Sequence, residues 1–279
     1  MKRNGCEIAR HNELAVLKAL HKYAWLRTRD LAALLWMKVK ASPGREFTVA
    51  PLMVEASPLR MAQRTLSRLR TDRQVIWRQA PDGSLIFGLA EAGSRRLVSL
   101  GIPAKSGKDQ VRRVSLSQYH HRRLANEIAI LASLQKFRVS SESEIAAGLW
   151  LGGLTGINGK KPDVVVRDGK KVWWVEVERS RRNQRDYQKL LSWLNTMWPT
   201  NRHNVGPANL PGGHILEKVL FVCEGAFINR LITGLRDSGW SAEQIERRIS
   251  AIRLLYVTEA KFILKSNPNA GTVGVTLDC

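Results

Sequence analysis

The sequence predicts an α/β fold in two domains. Helical and strand patterns alternate along its 279 residues, a length that suffices for two domains of ordinary size. The short polar stretch 101–107, which contains Pro103 and Lys105, is the best boundary. Beyond it, an acidic β-hairpin follows the strongest helical pattern in the chain. We therefore expect a helix-rich first domain over 1–100, a linker over 101–115 and a second domain over 116–279.

The first hundred residues have the element order of a winged helix-turn-helix domain. Three helices are predicted, followed by two short strands around the turn Pro81-Asp82-Gly83, which would form the wing. Residues 38–55 have no periodicity and are expected to form an inserted loop. The helices are predicted at 12–26, 30–36 and 57–70, and the strands at 75–78 and 85–89.

One face of the third predicted helix is basic, and a winged helix places this helix in the DNA major groove. In that position Gln63 and Arg64 would reach base edges, and the other arginines would hold phosphates. The alternative is an amphipathic helix with a solvated basic face. The candidate DNA-binding residues here are Arg60, Gln63, Arg64, Arg68 and Arg70.

The charge balance supports a nucleic-acid partner. The chain has 45 Lys and Arg against 24 Asp and Glu, a formal charge of +21, which self-repels unless a polyanion is bound. No apolar run is long enough to span a bilayer and no signal peptide is evident. The three cysteines are scattered and fit neither a disulfide framework nor a zinc site. We expect a cytoplasmic protein.

An acidic β-hairpin is predicted over 161–178. Two apolar runs flank Asp168-Gly169, which is a signal for a type I′ turn. If these two residues form the turn, Asp163 faces Trp174 across the strands. Side chains alternate along a strand while cross-strand partners share a face. The side chains expected on one face are Asp163, Trp174, Glu176 and Glu178.

On that register Asp163 and Glu176 are diagonal neighbours, close enough for one divalent cation to bridge them. Carboxylate oxygens are hard ligands that suit Mg²⁺ or Mn²⁺. The alternative is an ordinary solvated acidic face at the sheet edge, balanced by nearby lysines. Those lysines are Lys160, Lys161, Lys170 and Lys171.

The strongest helical pattern covers 117–137, and Glu127 falls inside its apolar stripe. A carboxylate that faces a core must be hydrogen-bonded, protonated or coordinated. Glu127 is therefore either a functional group or the partner of Arg123 or another arginine. Segment 144–151 fits a strand or a helical turn equally well. Further helices are predicted at 183–198, 226–237 and 241–249, and strands at 218–223 and 253–258.

With Pro162-Asp163 on one strand and Glu176-Val177-Glu178 on its partner, the second domain resembles the PD-(D/E)xK nuclease superfamily. The resemblance implies an α/β/α restriction-endonuclease-like core in which Asp163, Glu176 and Glu127 hold a catalytic metal. The chain departs from the family at Glu178, where a lysine is usual. The candidates for the missing positive charge, on or just before the following helix, are Lys189, Arg182 and Arg185. The candidate DNA-binding residues in this segment are Arg181, Arg182 and Arg185.

The two domains together, with the stretch Glu176–Ser180 and a Tyr-x-Lys-Leu helix at 187–190, resemble the replication-relaxation family of plasmid mobilisation proteins, including MobC-type relaxases. The resemblance implies binding of double-stranded DNA at an origin, nicking, and contact with accessory mobilisation and coupling proteins, in a bacterial cytoplasm near the nucleoid or a plasmid. The paired histidines of usual relaxases are absent, and Tyr119 or Tyr187 is an alternative nucleophile.

Three functions remain open from the sequence. The first is a Mg²⁺- or Mn²⁺-dependent nicking endonuclease with Asp163 and Glu176 at its centre, assisted by Glu127, Glu178 and Lys189. The second is a DNA-binding replication initiator or regulator whose nuclease fold is inactive. The third is a recruitment subunit that links DNA to a coupling protein.

Overall fold

A computed structural model describes residues 4–38, 47, 49, 53–178, 183–199 and 208–253. The described residues fall into two compact units, one within 1–41 and 54–135 and the other within 42–53 and 136–279. Both contain helices and a β-sheet, which confirms the predicted α/β class. The division falls after Gln135, so the long helix predicted to open the second domain belongs to the first unit. Phe47, from the predicted inserted loop, belongs to the second unit and contacts Phe137 there.

In the first unit, helices surround a three-stranded antiparallel sheet of order β1-β3-β2. The helices are α1 (Gly5–Tyr23), α2 (Thr28–Trp36), α3 (Ala56–Thr71), α4 (Glu91–Val98), α5 (Lys108–Arg112) and α6 (Leu116–Leu134). The strands are β1 (Trp25–Arg27), β2 (Val75–Gln79) and β3 (Leu85–Leu89).

Local capping explains where the long helices of this unit begin. The Asn4 side chain caps α1 in a capping box with Glu7, so α1 begins earlier than the apolar pattern predicted. Ser115 caps α6 in the same way with Gln118. Helix α1 ends earlier than predicted because Ala24 has a positive φ of 66°. The next three residues form β1, and all three are buried, so they lack the alternation of buried and exposed side chains by which a sequence indicates a strand.

Gly93 lets α4 pack tightly at the exit from the wing, and we expect Gly93→Ala to destabilise the first unit. A Cβ at this position would collide with the backbone carbonyl oxygen of Gln74 and lie 3.1 Å from the Leu17 side chain. Overpacking of this kind typically costs about 1–3 kcal/mol. Gly5→Ala is the matched control, since a Cβ there meets nothing within 4 Å. Urea unfolding measures both, and equal midpoints would contradict this account of Gly93.

The second unit contains a six-stranded mixed sheet in which β4, β5, β6, β8 and β7 lie in that order and β9 also pairs with β8. Strand β8 pairs in parallel with β6 and with β9, and the other pairings are antiparallel. The strands are β4 (Arg138–Ser140), β5 (Val164–Asp168), β6 (Lys171–Glu178), β7 (Ala208–Leu210), β8 (His214–Cys223) and β9 (Ile249–Arg253). The helices are α7 (Glu142–Ala146), α8 (Gln184–Met197), α9 (Gly225–Asp237) and α10 (Ala242–Arg248).

One face of this sheet packs in a large core with α8 and α9, and Trp174 lies at 4.5 Å between ring centroids from Trp193. The ambiguous segment 144–151 proves to be the end of the short helix α7 followed by turns. The last strand begins at Ile249, directly after α10, and so precedes the predicted 253–258. Most of that predicted strand lies outside the described residues.

Candidate functional site

The acidic hairpin forms, but its register differs from the prediction. Asp168 pairs with Lys171 and Val164 pairs with Val175, so the turn residues are Gly169 and Lys170. Gly169 has a positive φ of 56°, which an Asp at the same place would adopt less readily. The shift is by two residues, and alternation along the strands is therefore preserved. Asp163 comes directly before β5, and its backbone N–H donates to the Val175 carbonyl oxygen at 3.0 Å, which holds Asp163 beside the end of β6.

The carboxylates of β6 are buried and lie at one end of the sheet. Glu176 and Glu178 are only 3% and 7% exposed, although the alternative interpretation predicted a solvated face. Glu178 is the last residue of β6 and pairs with Cys223, the last residue of β8. The carboxyl ends of these parallel strands therefore lie side by side, and such an edge is where α/β sheets commonly bind ligands.

Three contacts hold the carboxylates of Asp163 and Glu176. The backbone N–H of Val177 donates to Asp163 Oδ2 at 2.7 Å. The Trp174 indole Nε1 donates to Glu176 Oε1 at 2.6 Å, and Lys160 Nζ lies 2.8 Å from the same oxygen. The Val177 contact holds the Asp163 carboxylate next to the Glu176–Val177 peptide, so the two carboxyl-bearing residues are neighbours at this end of β6.

Lys160 reaches Glu176 from a tight turn that precedes β5. Ile157 and Lys160 exchange both backbone hydrogen bonds, and the Trp193 indole donates to the Ile157 carbonyl oxygen at 2.9 Å. Asn158 and Gly159 have positive φ angles of 50° and 73°. The sequence offered one signal for this turn, the Asn-Gly pair at 158–159. We predicted Lys160 only as one of several lysines beside a solvated face.

The other basic residues proposed for this site lie elsewhere or outside the described residues. Lys189 is exposed on α8, and its Nζ lies 3.2 Å from Asp186 Oδ1 within the same helix. Arg185 is also exposed, on the first turn of α8. Arg181 and Arg182 lie outside the described residues. Within the described part of the chain, the structure places Lys160 beside Glu176.

Glu127 lies in the first unit, in a buried ion-pair network. Arg27 Nη2 is 2.6 Å from Glu127 Oε1 and 2.7 Å from Asp30 Oδ1, and Arg123 Nε is 4.0 Å from Glu127. Burial raises the pKa of the Glu127 carboxyl, and the neighbouring Arg27 and Arg123 charges oppose that rise. Pairing with an arginine is the alternative that the sequence left open, and it accounts for the buried carboxylate without a metal.

The two candidate tyrosine nucleophiles are buried. Tyr119 has no exposed surface, stacks on Trp25 and donates from its hydroxyl to Asp82 Oδ2 at 2.6 Å. Burial raises the pKa of Tyr119 to about 12, which opposes formation of a phenolate. The Tyr187 hydroxyl donates to the Arg230 carbonyl oxygen at 2.7 Å. Each hydroxyl therefore makes a hydrogen bond that ties its helix to a neighbouring segment, Tyr119 to the β2–β3 turn and Tyr187 to α9.

The basic residues of α3 divide into two groups. Arg60, Gln63 and Arg64 are exposed in the first nine residues of the helix. Arg68 Nε lies 3.0 Å from Glu13 Oε1, and the Arg70 guanidinium stacks over the Trp77 ring at 4.5 Å. The last two side chains are therefore held by intramolecular contacts, whereas the first three point to solvent in one row.

No family of proteins, curated protein or solved structure matched the chain in our comparisons. Within the described ranges, no three His, Cys, Asp or Glu side chains cluster as a metal site would require. None of the described helices is long and apolar enough to cross a membrane. The features that a functional proposal can use are the neighbouring residues Asp163 and Glu176 and the exposed row on α3.

Proposed function

We propose that the chain is a DNA-binding protein of plasmid or mobile-element mobilisation or replication, and that it nicks DNA at an origin with Mg²⁺ or Mn²⁺. The main support for the proposed DNA binding is the exposed row of Arg60, Gln63 and Arg64 on α3. The charge of +21 supports a polyanionic partner. The partners proposed are double-stranded origin DNA and accessory mobilisation and coupling proteins, in a bacterial cytoplasm.

The order of elements in the first unit supports a winged helix. Helix α3 follows α2 and leads into the antiparallel strands β2 and β3, the arrangement in which α3 serves as a recognition helix. The turn between those strands is anchored, since Asp82 accepts hydrogen bonds from Ser84 and Tyr119. In this interpretation Gln63 and Arg64 read bases while Arg60 contacts a phosphate.

Arg64→Ala and Arg60→Ala should weaken DNA binding in different ways. Loss of a base contact costs about 1–3 kcal/mol of binding free energy and relaxes specificity. Arg64→Ala should therefore reduce the difference in binding affinity between origin DNA and unrelated DNA. Loss of a phosphate contact weakens binding to all sequences and lowers the salt slope by about one unit, which is expected for Arg60→Ala.

Fluorescence anisotropy at several salt concentrations measures both effects. Arg95→Ala is the matched control, because this exposed arginine lies on α4 of the same unit. Unchanged affinity and salt slope in both α3 variants would exclude α3 as the DNA-binding helix.

The neighbouring carboxylates of Asp163 and Glu176 in the second unit support the nuclease part of the proposal. Mg²⁺ often binds one or two carboxylates and completes its shell with water and substrate phosphates, so Asp163 and Glu176 fit it without a third acidic ligand. When bound, such an ion polarises the phosphodiester and activates a water. Val177 N–H and Trp174 Nε1 hold the two carboxylates in place. Glu178, on the same face, is proposed as a further ligand or a base.

The alternative function is a DNA-binding initiator or regulator whose second unit is an inactive scaffold. The observation that favours it is the ion pair between Lys160 and Glu176, which neutralises one carboxylate of the site without a metal. The two functions differ in their dependence on Asp163 and Glu176, since a scaffold should keep its activity when both are neutralised.

A further inference from the structure

The Lys160 ammonium occupies the place of a cation beside the proposed metal-binding carboxylates. Its Nζ is 2.8 Å from Glu176 Oε1, and the two side chains are 18% and 4% exposed. A carboxylate as buried as Glu176 requires a partner charge. Lys160 supplies it at the oxygen that also accepts the Trp174 indole hydrogen bond at 2.6 Å.

The backbone around Lys160 fixes this placement. The Ile157–Lys160 pairing closes the turn, and Gly156, with φ of 80°, packs so closely against the Lys160 carbonyl that no Cβ fits between them. The Lys160 Nζ lies 5.8 Å from the centroid of the Trp193 ring, within the range of a cation–π interaction. The ammonium group is thus built into the site, whereas the neighbouring Lys161 is exposed.

We propose that Lys160 is the internal counterion of the acidic site and competes with a divalent cation for Glu176. This inference rests on the metal-dependent function proposed above. With Lys160 in place, a cation that approaches Asp163 and Glu176 meets an ammonium charge and a partly satisfied carboxylate. Metal binding then requires the Lys160 side chain to leave Glu176. Lys160 therefore acts as a positioning residue that limits loading of the site.

The test is the affinity for Mn²⁺, measured by isothermal titration calorimetry and by thermal shift on the full chain. Lys160→Met removes the charge and keeps the length of the side chain. We expect it to bind Mn²⁺ about tenfold more tightly than the wild type, because an unscreened like charge near the ion is gone. Lys160→Arg, which keeps the charge, should bind like the wild type. Lys161→Met is the matched control for overall charge and should change nothing.

If Lys160 has a purely structural role, the opposite result is expected. Loss of the ion pair would then loosen Glu176, and Lys160→Met would bind Mn²⁺ as tightly as the wild type or more weakly. Equal or weaker binding by Lys160→Met, with Mn²⁺ still bound by the wild type, would overturn the competition and leave the nuclease proposal standing. If Lys160→Met does not fold, Lys160→Gln gives the same comparison, because its amide can still donate to Glu176. If no variant binds Mn²⁺, the metal-dependent function fails and the competition fails with it.

Discussion

Arg27→Met is expected to destabilise the first unit by about 3–5 kcal/mol near neutral pH, the usual cost of removing one partner from a buried ion pair. Arg27 joins Asp30 on α2 to Glu127 on α6, with 2.7 Å and 2.6 Å contacts, and all three residues are buried. Methionine fills much of the same volume and leaves two carboxylates without their shared cation. Urea unfolding followed by circular dichroism measures the loss.

The pH dependence of this variant has a definite sign. Burial raises the pKa of Glu127, and Arg27 opposes the rise. A carboxyl with a raised folded pKa gives the folded state stability at low pH that is lost as the pH rises through the folded value. Without Arg27 the pKa of Glu127 should rise further. Arg27→Met should therefore regain part of its lost stability as the pH is lowered from neutral and Glu127 takes up a proton.

Two comparisons separate this network from a general effect of charge. Arg113→Met, at an exposed pair with Asp109, should change stability by less than about 0.5 kcal/mol. Arg27→Met combined with Glu127→Gln should recover stability at neutral pH, because one buried charge is then gone. A small loss in Arg27→Met, or no recovery on acidification, would show that the network contributes little.

The sequence predicted well those elements that local patterns determine. Helix α3 and strand β3 were predicted to within two residues, because a serine-proline start and a turn of Pro, Asp and Gly mark them. The shared face of Asp163 and Glu176 stays a prediction, because the paired part of the hairpin begins at Val164. The exact hairpin register was wrong by two residues, because Asp168-Gly169 and Gly169-Lys170 both fit a two-residue turn.

The remaining features depend on contacts between residues distant in sequence. Glu127 in an apolar stripe indicated a buried carboxylate, but its partner Arg27 lies 100 positions earlier and no periodicity connects them. The Arg27–Glu127 ion pair also links α6 to the first unit, whereas the sequence assigned this helix to the second domain. Lys160 was one of four lysines near the hairpin, and only the turn at 156–160 selects it for Glu176.

Asp163→Asn is expected to reduce nicking of supercoiled origin DNA by about a thousandfold or more if the second unit is a metal-dependent nuclease. The substitution is close to isosteric, and the Asn oxygen can still accept the hydrogen bond from Val177 N–H. It removes a negative charge from the pair that faces the proposed ion. The measurement is conversion of supercoiled to open-circular DNA with Mg²⁺ or Mn²⁺, alongside DNA binding, which should stay unchanged.

Asp168→Asn is the matched control, because it makes the same chemical change at the turn end of β5, the strand that begins directly after Asp163. Equal nicking by the wild type and Asp163→Asn would exclude Asp163 from the reaction. The scaffold alternative is tested by the double variant Asp163→Ala and Glu176→Ala in a plasmid replication or mobilisation assay. If that variant keeps full function while Arg64→Ala loses it, the second unit acts as a scaffold. The Lys160–Glu176 pair would then serve to neutralise a buried charge, as the Arg27–Glu127 pair does in the first unit.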